Sequence, residues 1–504
     1  MFTSWARKVR QRASRSPRKP PRSLAVGRGI GYSPPTFLQP FPLPAPTATT
    51  SRSAAFRAWL YRNRWLIAIV LGALAVRLHW NLLVHPLGDY QSSDMRGYTS
   101  RADQMVAHFG KAYEYHAFFP YGTHFLLALF KAIFGKDNYV AISVLYALMG
   151  TTMVLYGVKI ARLVTTRTWL PNALGVLMIF YYPLISLSGY TLSETPFGVF
   201  LLFATYRLLL LVRDGKSRDA WLTGLWAGIA TAFRPQILLS IAMFALVWLI
   251  MRKSMPKVRF KHLVYAGIPV FIVLVFSAIR LHHHTGRWGL ISENGRFNQL
   301  FGRCHNKKAV ATPDEPGRGR IRFGPPPLIQ LEKRAKTHPN SWVQLEPAIG
   351  AELAYTGYIS DVKPLRELIS KCVAKTGILG QVKYAVVNTL MLWAYNTPWP
   401  DSGRDMWRRT ASSWQALNTT FIAIPAMLTI FTCFWKKTCQ THGILAVHIW
   451  AILITAAIYF GDTRLRTPYD PMILLLAFEC YLFVGGLVFV KLRDAIRKRR
   501  AARA

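Results

Sequence analysis

Acidic residues are scarce in this chain. Its 504 residues include 22 Asp and Glu against 63 Lys and Arg, and no acid precedes Asp89. The formal net charge of +41 would attract the phosphates of nucleic acids. However, the basic residues crowd the two ends and the short connections between apolar blocks, as the positive-inside rule of membrane proteins predicts. We therefore expect no nucleic-acid partner.

Closely spaced cysteine pairs are also missing. The spacing needed for a zinc site or a redox disulfide is not found among the five cysteines, which are Cys304, Cys372, Cys433, Cys439 and Cys480. Only Cys304 and Cys372 fall in the same predicted outer loop, so a disulfide between these two stays open. We expect free thiols that pack as small apolar residues. No repeat of fixed period is visible either.

Long apolar blocks are abundant instead. Hydrophobic residues make up 52% of the chain, and their blocks approach the length that crosses a bilayer. The sequence predicts an all-α polytopic membrane protein with about ten transmembrane helices, juxtamembrane helices and one larger outer loop domain. The predicted spans are 65–84, 140–163, 170–187, 196–212, 221–233, 237–251, 263–279, 421–435, 444–459 and 472–490.

The basic clusters orient these spans with both chain ends in the cytoplasm. The apolar stretches 118–134 and 384–395 are too short or too broken to span, so we expect interfacial or re-entrant helices there. The predicted regions are a disordered basic cytoplasmic tail (1–64), an N-terminal transmembrane module (65–281) with a first outer loop (86–138), an outer cap with an interfacial helix (282–420), a C-terminal transmembrane module (421–490) and a basic cytoplasmic tail (491–504).

A few charged residues lie at the outer ends of predicted spans, where an ionisable group is costly unless it has a partner or a task. They are Asp94, Glu194, Arg234, Arg464 and Arg466. Each also has a structural explanation. Asp94 would cap the following helix, Glu194 would complement its helix dipole and Arg234 would reach lipid headgroups. The two hairpin arginines would bind headgroups or pair with neighbouring acids.

Two groups of side chains could offer metal ligands. One is the run of three histidines at 282–284, and the other comprises Glu114, His116 and His124. A solvated interfacial loop is the ordinary reading of such a histidine run. We assign no metal ligand, name no certain cofactor and leave a divalent metal open.

Several short motifs occur in a characteristic order. They are Arg77-Leu78, the acidic loop with Asp94, Tyr98 and Arg101-Ala102, the segments 119–122 and 125–129, Leu192 to Glu194, Phe233 to Pro235, Ser292 to Asn298 and the hairpin from Arg464 to Pro471. Over 65–490 the chain resembles the GT-C type glycosyltransferases that use polyprenyl-phosphate sugars, including protein O-mannosyltransferases (glycosyltransferase family 39) and aminoarabinose transferases. It departs from the close Asp-x-Asp-like arrangement of many relatives, because Asp89 lies five residues before Asp94.

The resemblance implies a membrane enzyme that transfers a hexosyl or pentosyl group from a lipid-linked donor to a glycan, lipid or protein acceptor. It implies that Asp94 is the catalytic residue and that Tyr98 and Glu194 contact substrate. The expected phosphate ligands are Arg234, Arg464 and Arg466, since two arginines two apart in an extended hairpin point to the same side. No Gly-rich nucleotide cradle is evident, which favours a lipid donor.

We expect a multi-pass protein of a bacterial inner membrane, in contact with membrane lipid, whose active site faces the exterior. A polysaccharide ligase or polymerase of the envelope would share many spans and one large outer loop, so it remains the alternative. A transporter is disfavoured, because it would carry charged groups at broken helices in mid-span, often in two similar halves.

Overall fold

The computed structural model describes residues 52–304, 307–311, 319–323, 349–353, 362–394, 399–401 and 404–501. Most of these residues are helical. The helices before the larger outer loop are α1 (Arg52–His79), α2 (Ser93–Ala107), α3 (Gly122–Phe134), α4 (Tyr139–Val164), α5 (Leu170–Phe180), α6 (Tyr182–Ser188), α7 (Glu194–Asp214), α8 (Ser217–Phe233), α9 (Ile237–Ile250) and α10 (Phe260–Thr285).

The remaining helices belong to the predicted outer region (282–420), which we call the outer region below, and to the C-terminal part of the chain. They are α11 (Asn294–Cys304), α12 (Val362–Ala394), α13 (Asp405–Leu417), α14 (Ile424–Leu428), α15 (His442–Ile458), α16 (Thr463–Arg466) and α17 (Asp470–Ala501). Short 3-10 or π-helical turns link several of them: Trp80–Val84, Leu87–Tyr90, Glu114–Ala117, Arg252–Ser254, Asn418–Ala423, Ile430–Phe434 and Thr467–Tyr469.

The all-α polytopic architecture is confirmed, but the predicted count of ten spans is not. Among the described residues, six helical stretches are long and apolar enough to cross a membrane: Ser53–Val84, Tyr139–Val164, Glu194–Asp214, Phe260–Thr285, Asp405–Phe434 and Thr463–Ala501. The pair α5 and α6, bent by 53° at its break, would be a seventh. Three of the predicted spans instead correspond to the shorter helices α8, α9 and α15. Helix α9 has only 14 residues, because Pro235 precedes it and a basic turn follows it.

The predicted disordered tail is too long at its C-terminal end, because α1 begins at Arg52 rather than near residue 65. Residues 52–64 contain Ala54, Ala55, Ala58 and Leu60, which favour helix, so the apolar span can extend into this basic segment. The rest of that predicted tail, 1–51, lies outside the described residues.

The outer region combines helices with a small antiparallel sheet in the order β1 (Lys307–Ala311), β2 (Gly319–Phe323) and β3 (Ile349–Leu353). Lys307 is paired with Phe323, and Gly319 with Leu353. Helix α12 is broken at Gly377, whose φ of 64° few other residues adopt. The predicted short helix at 384–395 is the end of α12, and the predicted broken segment at 118–134 becomes α3, which begins just after Pro120.

The hairpin between α15 and α17, which contains α16, is held by unusually close backbone contacts. A Cβ added at Gly461 would lie 1.8 Å from the carbonyl oxygen of Asn388, and one at Gly302 would lie 1.2 Å from that of Tyr459. Only glycine permits such approaches. The side-chain amide of Asn388 donates to the carbonyl oxygen of Gly302 at 3.2 Å, so α11, α12 and the hairpin are locked together at one point.

Arg303 strengthens this junction by capping α15. Its guanidinium donates to the last carbonyl groups of that helix, at 2.7 Å for Ala457 and 2.8 Å for Ile458. Such contacts satisfy carbonyl groups that a helix end otherwise leaves unpaired. Gln381 in turn donates to the carbonyl oxygen of Arg303 at 2.8 Å. The orientation of the hairpin therefore depends on the outer region.

The expectation of free thiols is wrong for two cysteines. Cys304 and Cys372 form a disulfide that joins α11 to α12, and it packs in a small apolar cluster with Leu300, Leu365 and Leu368. The spacing of 68 residues gave no sequence signal, because the two helices meet only in the folded chain. Cys433, Cys439 and Cys480 are free.

We expect a maleimide-polyethylene glycol gel shift to count three reactive thiols in the denatured, unreduced protein and five after reduction. Cys480→Ser serves as the control and should lower both counts by one. Five thiols without reduction would contradict the disulfide. Because the bond closes a long loop, Cys304→Ser should also lower the stability by roughly 2–4 kcal/mol.

Candidate functional site

Asp94 lies in the first turn of α2 and points toward the hairpin. Its Oδ2 is 3.2 Å from Nη1 of Arg464, and about a third of its side chain (34%) is exposed. Ser92 occupies the N-cap position of α2, without a side-chain capping bond. The capping explanation for Asp94 is therefore not what the structure shows. The carboxylate is held from 370 residues away by a hairpin arginine.

Glu194 begins α7 and is almost completely buried, with 1% of its side chain exposed. Its Oε1 lies 2.5 Å from Nη1 of Arg234 and 3.1 Å from Nε of Arg464. Neither contact has the alignment of a hydrogen bond, so both are ion pairs. Arg234 directly follows α8, and Pro235 ends that helix.

These contacts join four of the predicted residues in the order Asp94, Arg464, Glu194, Arg234, which we call the charge cluster. Two carboxylates alternate with two guanidinium groups, so the cluster itself is neutral. Such pairing offsets much of the cost of burying charge. The cluster joins the first outer loop, α7, the end of α8 and the hairpin.

Tyr98 lies one turn after Asp94 on α2, is buried, and stacks on Phe119 at a ring-centroid distance of 4.7 Å. Burial, and then the nearby carboxylates of Asp94 and Glu194, raise the pKa of Tyr98 to about 12. The phenol is therefore neutral at physiological pH and offers a hydrogen-bond donor beside the charge cluster.

The hairpin is not extended, and this expectation was wrong. Residues Thr463–Arg466 form a short helix whose N-cap is Asp462, and the side chain of Asp462 accepts a hydrogen bond of 2.8 Å from the backbone N–H of Arg464. An Asp at this position stabilises a helix start. Because residues two apart lie on different faces of a helix, Arg464 and Arg466 have different partners.

Arg466 forms a buried ion pair rather than joining the charge cluster. Its Nε is 2.9 Å from Oδ1 of Asp470, and Nη1 donates to the carbonyl oxygen of Leu392 at 3.1 Å. The hydroxyl of Tyr181 lies 2.9 Å from the other oxygen of Asp470. The alternative of pairing with a neighbouring acid therefore describes Arg466 in this structure.

A small cavity, partly open to solvent, lies beside the charge cluster. Arg464 and Arg466 line it from α16, Gln415 lines it from α13, and Ser186 from α6. Trp399 and Asp401 also line it. The Trp399 ring covers Arg464, with Cζ 4.4 Å from the ring centroid.

The sequence analysis missed Trp399 and Asp401. Asp401 is buried and accepts hydrogen bonds from three hydroxyl groups, those of Tyr182, Ser186 and Tyr190. The one available signal was an acid directly after Trp399-Pro400 in an acid-poor chain. Nothing in the sequence placed this segment against α6.

Two of the candidate metal ligands are engaged in other contacts. Glu114 pairs with Arg287 at 2.6 Å, and Nε2 of His116 lies 3.0 Å from Oε1 of Gln104. Burial, followed by the charges of Arg101 and Arg280, lowers the pKa of His116 to about 4. Within the described ranges, no group of three or more His, Cys, Asp or Glu is arranged to hold a metal ion. A divalent metal stays an untested prediction.

The comparisons with known proteins point to glycosyltransferases. The family model for dolichyl-phosphate-mannose-protein mannosyltransferases matches residues 119–279, which include Glu194 and Arg234. This match confirms the glycosyltransferase resemblance seen in the motifs, over less than half of the chain. No curated protein matches the chain.

Among solved structures, the chain is similar to the archaeal oligosaccharyltransferase AglB from Archaeoglobus fulgidus, solved with an inhibitory peptide and a dolichol-phosphate. The identity is 11% and the TM-score is 0.45. The alignment covers 87% of this chain and 52% of AglB, so the chain spans about half the length of that protein.

The burial of Glu194 predicts that Glu194→Gln destabilises the protein strongly, because two arginines then lose their shared carboxylate. Removing one partner of a buried ion pair costs about 3–5 kcal/mol, whereas an exposed pair contributes about 0.2–1 kcal/mol. Glu114→Gln makes the same chemical change in a half-exposed pair and serves as the control. Thermal unfolding in detergent should show a clear loss for Glu194→Gln only; equal melting temperatures would contradict the cluster.

Proposed function

We propose that this protein is a membrane glycosyltransferase that transfers a sugar from a polyprenyl-phosphate donor to a glycan, lipid or protein acceptor of the cell envelope. The observation that carries the proposal is the charge cluster, in which an accessible carboxylate touches an arginine beside a cavity. The family match at residues 119–279 supports the same reaction class, since the family is described by a dolichyl-phosphate sugar.

Asp94 is the general base of the proposed reaction. An acceptor hydroxyl or amine attacks the anomeric carbon, the bond from that carbon to the phosphate oxygen breaks, and the lipid phosphate leaves with the electron pair. The proton of the acceptor passes to the Asp94 carboxylate. The partial exposure of Asp94 supports this role, because the other carboxylate of the cluster, Glu194, is buried.

Arg464 links the base to the leaving group. In the resting protein its charge is shared between Asp94 and Glu194. Once Asp94 accepts a proton, the carboxylate no longer compensates this guanidinium, which then stabilises the charge developing on the departing phosphate. Arg234 holds Glu194 in place and contributes a second cation at the same point.

Arg466 is less available than Arg464 to bind the phosphate. It lines the cavity, yet its guanidinium is occupied by Asp470 and by the carbonyl oxygen of Leu392. We assign it a positioning role, in which it fixes the short helix that carries Arg464. Tyr98 is placed to donate a hydrogen bond to a substrate oxygen, because its hydroxyl stays protonated.

An exterior active site is favoured by the disulfide between Cys304 and Cys372. Structural disulfides form in oxidising compartments and are rare in the cytosol. Arg303, next to the disulfide, caps α15 at the start of the hairpin that carries Arg464. The disulfide and the hairpin therefore belong to the same side of the membrane. Together with the cytoplasmic basic clusters, this supports an inner membrane protein that acts on the outer face.

The base assignment predicts that Asp94→Asn lowers sugar transfer by about 10²–10⁴-fold while expression is kept, because the amide cannot accept the proton. The measurement is release or transfer of radiolabel from a panel of polyprenyl-phosphate hexoses and pentoses, with purified protein in detergent. Asp89→Asn, on an exposed acid five residues upstream, is the matched control and should retain activity.

Near-normal turnover of Asp94→Asn would remove Asp94 from the mechanism. If the wild type cleaves none of the donors, the glycosyltransferase proposal fails. Movement of an intact donor across vesicles without bond cleavage would place the protein among transporters. Transfer of a preassembled polysaccharide, with the simple donors ignored, would favour the envelope ligase.

A further inference from the structure

Asp401 is a buried carboxylate compensated only by neutral hydroxyl groups. Its Oδ1 accepts from Tyr190 at 2.7 Å, and its Oδ2 accepts from Ser186 at 2.6 Å and from Tyr182 at 3.1 Å. The residue is 3% exposed. Among the residues that the structure describes it forms no ion pair, in contrast to the acids of the charge cluster.

Such an arrangement is costly for folding. A buried ionised carboxylate is ordinarily paired with a cation, because hydroxyl donors recover only part of the lost hydration. Burial accordingly raises the pKa of Asp401, although the three hydroxyl groups act in the opposite direction. A convergence of polar groups at a cavity is a common feature of binding sites.

The cavity beside Asp401 is lined by two chemically different groups of side chains. Helix α16 contributes the guanidinium groups of Arg464 and Arg466, whereas α6 and the segment 399–401 contribute hydroxyl groups and the Asp401 carboxylate. A sugar phosphate is complementary to this division, since it carries an anionic phosphate at one end and hydroxyl donors at the other. Arginine side chains bind the phosphate, and a carboxylate accepts hydrogen bonds from the sugar hydroxyl groups.

We infer that this cavity is the subsite for the sugar ring of the lipid-linked donor and that Asp401 is its specificity-determining residue; the inference rests on the proposed function. A carboxylate has about four lone-pair sites, and the three hydroxyl groups leave one for a sugar hydroxyl. The oxygen of Tyr182 offers a further acceptor at the cavity wall. The three donors fix the carboxylate, so its direction selects the position of the hydroxyl.

Equilibrium binding to purified protein in detergent tests this inference. The ligands are bare polyprenyl phosphate and a panel of polyprenyl-phosphate hexoses and pentoses. Asp401→Asn should weaken binding of the preferred sugar conjugate by about tenfold or more, because a charged hydrogen bond is lost. Binding of bare polyprenyl phosphate should change by less than about threefold, since the arginines remain.

Asp405→Asn is the matched control and should leave both affinities unchanged, because Asp405 has 92% of its side chain exposed. If Asp401→Asn does not fold, Ser186→Ala removes one hydroxyl that fixes the carboxylate. This variant should weaken the sugar conjugate at least about threefold, again with little change for bare polyprenyl phosphate.

The outcomes separate this inference from the proposed function. Wild-type protein that binds neither bare polyprenyl phosphate nor any conjugate contradicts the proposed function. Wild-type protein that binds every sugar conjugate no more tightly than bare polyprenyl phosphate overturns only the sugar subsite. The subsite is also overturned if Asp401→Asn, or Ser186→Ala in its place, weakens both ligands equally or neither.

Discussion

The two ion pairs of the Arg464 guanidinium hold the site together. This guanidinium contacts Asp94 and Glu194 at 3.2 and 3.1 Å, and these two acids come from parts of the chain far from the hairpin. Pairing offsets much of the cost of burying these charges, so the segment with Asp94, α7 and the hairpin pack favourably in the arrangement that brings the three side chains into contact. The same pairing holds the partly exposed Asp94 carboxylate in place, which links folding to the proposed chemistry.

Backbone contacts of the hairpin also fix the position of Arg464. Gly461 lets the hairpin lie against α12, and Arg303 caps α15 from the outer region. The disulfide fixes α11 to α12 directly beside these contacts. Contacts from the outer region therefore fix the hairpin that carries Arg464. Arg466 lies outside the charge cluster but is also buried. Its ion pair with Asp470 offsets the cost of that burial and anchors α16 to α17.

Much of this organisation could be predicted from the sequence, because membrane burial leaves a strong pattern. The helical class follows from long apolar blocks, and Asp94, Glu194, Arg234 and Arg464 stand out as charges at the ends of apolar segments. The number of spans could not be derived, since α9 and α15 have span-like composition without span-like length. The disulfide and the Asp401 subsite depend on contacts between distant segments, which neither spacing nor hydropathy encodes.

The proposed mechanism requires a lipid phosphate to bind at the charge cluster, which an experimental structure of the protein in lipid nanodiscs with polyprenyl phosphate would reveal. We expect phosphate density within hydrogen-bonding distance of the Arg464 guanidinium, with Arg234 close by and Asp94 open to solvent next to the phosphate. Phosphate bound elsewhere, with the Arg464 contacts to Asp94 and Glu194 unchanged, would rule out this mechanism.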